Sequence, residues 1–196
     1  MGLSNVARRE GQLADALLHG WQAHDLTTNE DERTSIVGNL SSIALVAGFP
    51  TAAMSGFLHV LSISEKPSVV LGVLQDALLA ASILRDELRL RQLEQTAIRI
   101  AQSSQQPFEI ARIHLAAATA WQRAGRFETA RSRLQLVLTL SENHGYHELF
   151  ARAETVLREL DRPVVEAADN SANKRNEFEL PSEYAPSIER LVALSG

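Results

Sequence analysis

The chain has 196 residues, 45% of them apolar and 22% charged, with a net charge of −5: enough for one folded domain, and too acidic to favour non-specific binding to nucleic acid. It has no cysteine, which excludes disulfides and thiolate metal sites, and no apolar run of the ~18 residues that a membrane span needs. Aromatic residues are only 5% while alanine and leucine abound, a balance that suits close-packed helices better than a β-sandwich. The N-terminal MGLSNVARRE lacks the apolar core of a signal peptide, so a cytoplasmic location is expected.

In chain order, Leu13, Leu17 and Trp21 follow helical spacing and predict a first helix over residues 5–24, with Ser4 or Asn5 as its cap. The polar run from Thr27 to Glu32 ends it, and its acids complement the dipole of a second helix from Glu32 to Ala47. Gly48 stops that helix, and Pro50 opens a third that ends near Ser64. Pro67 begins a fourth, to about Leu84, and a turn at Arg85-Asp86-Glu87 without glycine leads into a fifth that ends near Ser103. Pro107 opens a sixth, closed at Gly125. A seventh covers residues 128–142, and Asn143-His144-Gly145 reads as a loop. An eighth, residues 147–160, stops before Pro163.

Two stretches match without a gap at a shift of 77 residues. In IVGNLSSIALVAGFPTAAMSGFLHVLSIS (36–64) and IHLAAATAWQRAGRFETARSRLQLVLTLS (113–141), Ala47-Gly48 falls on Ala124-Gly125, Ala53 on Ala130, and Val60-Leu61 on Val137-Leu138. At a shift of 40, Ile100 falls on Leu140 and Ala111-Arg112 on Ala151-Arg152. Self-similarity at such periods predicts stacked helical hairpins. Residues 161–196 differ: Asp169–Asn176 is polar and aperiodic and reads as a linker. Beyond it, Pro186 and Ser187 can start a short helix presenting Ile188, Leu191, Val192 and Leu194.

The third hairpin resembles a tetratricopeptide repeat. Ala117-Ala118, Trp121, Gly125, Phe127 and Ala130 stand where that family has small crossing residues, a late aromatic, a turn glycine, an aromatic after it and an alanine in the second helix. The first hairpin keeps Ala47-Gly48 and Ala53 but has Ala44 at the aromatic position, and the middle one has Arg85 at the turn glycine. The resemblance covers about residues 32–160 and implies an all-α, right-handed α-solenoid of about eight helices plus a C-terminal tail. Residues 1–31 would supply an N-terminal capping helix or half repeat, 32–160 the array, and 161–196 the linker and tail.

The family's groove positions, carried over to this sequence, are Asn39, Ser42, Gln75, Leu79, Ser82, Arg112, Leu115, Thr119, Gln122 and Arg123, with Arg152, Thr155 and Glu159 from the last helix. Arg112 and Arg152 could grip a carboxylate, and Leu79 and Leu115 could accept apolar side chains. A non-enzymatic scaffold that binds a protein or peptide is therefore expected, with no cofactor, no metal, no catalytic residue, no direct contact with nucleic acid and no membrane. The alternative is a sensory or regulatory domain of a larger bacterial regulator, since residues 12–26 look like the second helix of a hairpin that lacks its first. The segment Ala44–Leu58 has the shape of a helix-turn-helix, but no cation lies between Thr34 and Glu65 to meet phosphates. An enzyme would need His114, Arg112 and Glu109 to cluster in a pocket. The tail is expected either to stay disordered or to dock in a groove against Arg112 and Arg152, its own or a neighbour's, the second case giving a homodimer.

Overall fold

The computed structural model describes residues 12–161 and 182–194. Among them are nine α-helices and no strand. In order they are α1 (Leu13–Leu26), α2 (Glu30–Val46), α3 (Pro50–Ile63), α4 (Pro67–Ile83), α5 (Glu87–Ser103), α6 (Pro107–Arg123), α7 (Phe127–His144), α8 (His147–Asp161) and α9 (Ala185–Ala193). No helix of the described residues is long and apolar enough to cross a membrane. The expected linker over 169–176 and the caps Ser4 and Asn5 lie outside the described residues.

The starts of these helices have local causes. Pro50, Pro67 and Pro107 occupy first-turn positions, where a missing N–H costs nothing. Asn29 caps α2 by accepting from the backbone N–H groups of Asp31 and Glu32, at 2.9 and 3.2 Å. Asp86 caps α5 by accepting from the Arg89 N–H at 3.0 Å.

Three of the ends share one device. Phe49 N–H bonds to Ala44 C=O and Gly48 N–H to Leu45 C=O; Asp86 and Arg85 do the same with Ala81 and Ser82, and Arg126 and Gly125 with Trp121 and Gln122. Each is a paired cap closed by a left-handed residue. The φ angles are 91° at Gly48, 57° at Arg85 and 75° at Gly125, and left-handed residues also close the turns at Gln105 (54°) and Gly145 (71°). Gly145 also corrects the seventh helix, which runs through His144 instead of stopping at residue 142. Arg85 thus adopts a glycine's backbone at a steric cost of about 1–2 kcal/mol. Glycine's greater freedom in the unfolded chain offsets part of the gain from removing it. Arg85→Gly should therefore raise stability by roughly 0.5–1 kcal/mol. Gly125→Ala should lower it, although a Cβ there meets nothing within 4 Å. Thermal melts of both variants check the pair of signs.

The first eight helices pack in two rows. The even-numbered helices lie side by side, α2 on α4, α4 on α6 and α6 on α8. Each odd-numbered helix sits over them: α1 on α2, α3 on α2 and α4, α5 on α4 and α6, and α7 on α6 and α8. Small residues permit the close crossings: Ala44, Ala53, Ala77, Ala81, Ala97, Ala117, Ala118 and Ala130 are all fully buried. One apolar core runs from α1 through α6 and takes in Ala130 of α7 and Ile188 and Leu191 of the C-terminal helix α9, and a second joins α6, α7 and α8 through Ala111, Leu115, Leu134, Val137 and Leu149.

The C-terminal segment forms the expected short helix but docks at the end opposite to the one expected. Instead of meeting Arg112 and Arg152, α9 packs on α3 and touches α1 and α2. Leu191 and Ile188 are buried, whereas Val192, expected on the same face, is 46% exposed. The Trp21 indole N–H donates to the Ser187 carbonyl at 3.1 Å. Arg190 lies 4.0 Å over the Trp21 ring and donates twice to the Asp25 carboxylate, at 3.1 and 2.7 Å. That guanidinium, with His24 assisting, holds the Asp25 carboxyl well below its ordinary range. Phe49 and Tyr184 close the contact with ring centroids 5.3 Å apart. An aromatic-acid pair on α1 thus selects the arginine of α9, which explains the location that the arginines of α6 and α8 did not attract.

Candidate functional site

The even-row helices α4, α6 and α8 enclose a cavity of about 280 Å³. Five of the thirteen groove residues named from the sequence line it: Gln75, Arg112, Leu115, Thr119 and Arg152. Helical spacing brings them together, since Arg112, Leu115 and Thr119 follow one another at three- and four-residue steps on one face of α6. Leu115 and Leu149 form the apolar floor and are buried, while Thr119 and Arg152 stand exposed at the rim.

Charge in this cavity is unevenly satisfied. Arg112 pairs with Glu109 at 3.0 Å and lies 5.9 Å above the Phe108 ring. Arg152 makes no ion pair among the described residues, although Glu148 lines the same space. The Gln75 amide nitrogen is buried without a hydrogen-bond partner. A free guanidinium, a half-exposed guanidinium and an unpaired amide donor over a leucine floor can hold an oxygen-rich group attached to an apolar one.

The other eight groove residues are distributed differently. Ser42 donates to Asp76 and so ties α2 to α4. Gln122 donates to Glu159 at 3.4 Å, tying α6 to α8. Asn39 is exposed on α2 away from the cavity. Thr155 lines a shallow adjoining cleft with Arg152. Arg123 lies in a separate cleft with Arg85 and Glu87. Leu79 packs half-buried against the core. Ser82 is 2% exposed with its hydroxyl bonded to the Leu79 carbonyl, so it leaves the accessible face. The groove positions named from the sequence do not include Phe108, Ala116, Glu148 or Leu149; an aromatic one turn before Arg112 was the available signal for the first.

His114 does not join Arg112 and Glu109. It is 6% exposed, and its neighbours are Glu94 of α5 and Arg133 of α7. Glu94, 5% exposed, accepts from the Trp121 indole N–H at 3.0 Å and from Arg133 Nε at 2.7 Å. Burial first, then Arg133, hold the His114 pKa below the ordinary histidine value, against a smaller opposing pull from Glu94. Its Nδ1 has no partner among the described residues. This cluster braces α5, α6 and α7, and a second clamp reinforces it where Arg126 donates twice to Glu87, at 2.9 and 3.0 Å.

No protein-family model matches the chain, and no curated protein matches it.

Proposed function

We propose that the chain is a non-enzymatic scaffold that binds a peptide or protein segment, built as a right-handed, tetratricopeptide-like α-solenoid. Under this reading the even-numbered helices are the first helices of successive hairpins and their row is the concave face. The side-by-side packing of α2, α4, α6 and α8, the three matching hairpin caps and the alanine crossings support it. The observation that carries the binding role is the convergence of Gln75, Arg112, Leu115, Thr119 and Arg152, from three different helices, on one cavity. Preorganised helices hold these groups, so a flexible ligand bears most of the ordering cost.

The ligand side chain that fits is one with a carboxylate beyond a short apolar stem. Each charge-assisted hydrogen bond to it is worth about 1.5–3 kcal/mol. Fluorescence polarisation against a panel of acidic peptides, with the Arg112→Glu/Arg152→Glu double variant alongside, tests the reading. Loss of affinity by about ten- to a hundred-fold in the double variant is expected. Peptides bound equally well by both proteins would place recognition elsewhere.

A further inference from the structure

The two rows create three notches on the odd-row side, one over each of α2, α4 and α6. The turn residues Gly48, Arg85 and Gly125 register the hairpins, and the same offset of eight puts Gly56, Leu93 and Arg133 at equivalent positions. Their surroundings differ. Over α2, between α1 and α3, Leu191 of α9 lies against Gly56. Over α6, between α5 and α7, Arg133 reaches across to Glu94. Over α4, between α3 and α5, Leu93 lines an open cavity of about 620 Å³.

That third notch has the same build as the one α9 fills. Its floor is Val70 and Leu74 of α4, and its walls include Leu58 and Leu61 of α3 and Ile100 of α5. Its rim charge is of the opposite kind. The notch that holds α9 presents Asp25, which takes Arg190. The open one presents Arg89 and Arg99 along α5, with Glu65 as its single acid. Arg89 pairs with Asp86 at 3.4 Å, whereas Arg99 and Glu65 make no ion pair among the described residues.

We propose that the notch between α3 and α5 is a docking site for a short amphipathic helix of a partner protein, carrying two apolar residues one turn apart and a carboxylate beside them. The helix seated in the neighbouring notch supplies the template: Ile188 and Leu191 are the buried pair, three residues apart, and Arg190 lies next to them. Asp25 stands on the α1 wall of its notch, whereas Arg89 and Arg99 stand on the opposite, α5 wall of theirs, so an acid at that arginine's place meets them when the helix is seated in the reverse direction. The site is separate from the cavity between α4, α6 and α8 and stands or falls independently of it.

The probe is a labelled synthetic peptide of residues 182–194 carrying Arg190→Glu, titrated into the full chain. Saturable binding is expected, weakened at least ten-fold by Leu61→Glu and by Arg99→Glu and unchanged by Arg112→Glu/Arg152→Glu. Arg99 is exposed, so that variant tests the contact without threatening the core. The unaltered peptide, with its arginine, should bind the Arg99→Glu chain better than the wild-type chain. Absence of saturable binding, or binding indifferent to Leu61→Glu and Arg99→Glu, overturns the proposal. So does binding that is strengthened by Asp25→Arg, because the glutamate of the peptide would then be displacing α9 beside that residue.

Discussion

Glu94→Ala should destabilise the protein by about 2–4 kcal/mol. The carboxylate is almost fully buried and joins three helices, accepting from Trp121 on α6 and Arg133 on α7. Truncation leaves the buried indole N–H unpaired and strands a guanidinium whose side chain is only 29% exposed. Removing one member of such a pair costs more than the pair contributes, because the partner's desolvation is no longer offset. The partial exposure of Arg133 places the loss below the figure for a wholly buried pair. Glu94→Gln, which keeps an acceptor for Trp121, should lose less.

A pH dependence follows from the same cluster. The folded-state pKa of His114 is depressed, so between that value and the unfolded value near 6.5 the unfolded chain binds more protons. The contribution of neutral His114 is therefore complete above about pH 6.5 and lost as pH falls below it. His114→Gln or His114→Phe should flatten that acid limb. Chemical denaturation of the variants between neutral and mildly acid pH checks both statements. A Glu94→Ala chain as stable as the parent would show that the ion pair is merely surface-like in energy.

The helices were legible in the sequence because their punctuation is local. Pro50, Pro67 and Pro107 each mark a first turn, and Gly48 and Gly125 each mark a reversal. Arg85 shows how far that reading extends. The shift of 40 placed it on the turn glycine's position, and its backbone takes the glycine's left-handed angle although its side chain gives no hint of it. The cavity between α4, α6 and α8 was partly legible, because one helical face is a matter of spacing. Ser82 fell from that face because burial depends on tertiary packing, and spacing along one helix does not carry that information. The docking place of α9 was illegible for the same reason at longer range. Trp21 and Ser187 meet across 166 residues, and Asp25 and Arg190 across 165, with no periodic pattern linking them. Glu94 gave no sign either: an acid among Arg89, Arg91 and Gln92 reads as part of a solvated face until Trp121 is brought over it.

Gly56→Val should release α9. The site is tightly approached: a Cβ built there collides with Ser41 Oγ and lies 3.2 Å from Ser41 Cβ and 2.9 Å from a Leu191 methyl. Valine adds two methyls beyond that Cβ. Relief on the α2 side is blocked, because Ser41 is fully buried, its hydroxyl is bonded to the Val37 carbonyl at 2.7 Å, and Leu40, Ala53 and Phe57 fix the crossing. The collision with Ser41 is the same whether or not α9 is seated, whereas the contact with the Leu191 methyl is relieved by moving α9 alone. That helix has nine residues, and its ion pair to Asp25 is about half exposed, the kind of pair that contributes little. Ordering a segment costs about 1–2 kcal/mol per residue, so a short helix seated mainly by two apolar side chains is held by a narrow margin. An overpacking penalty of ~1–3 kcal/mol or more is enough to cross it. Release would remove the Ser187 acceptor and the Arg190 face from Trp21, so Trp21 emission should shift to the red in a Trp121→Phe background. Gly56→Val should then cost less in a chain lacking residues 182–196 than in the full chain, since the contact with Leu191 is already gone. Equal costs in the two backgrounds, with Trp21 emission unmoved, would show that α2 yields to the new side chain and that α9 is held more firmly than its contacts indicate.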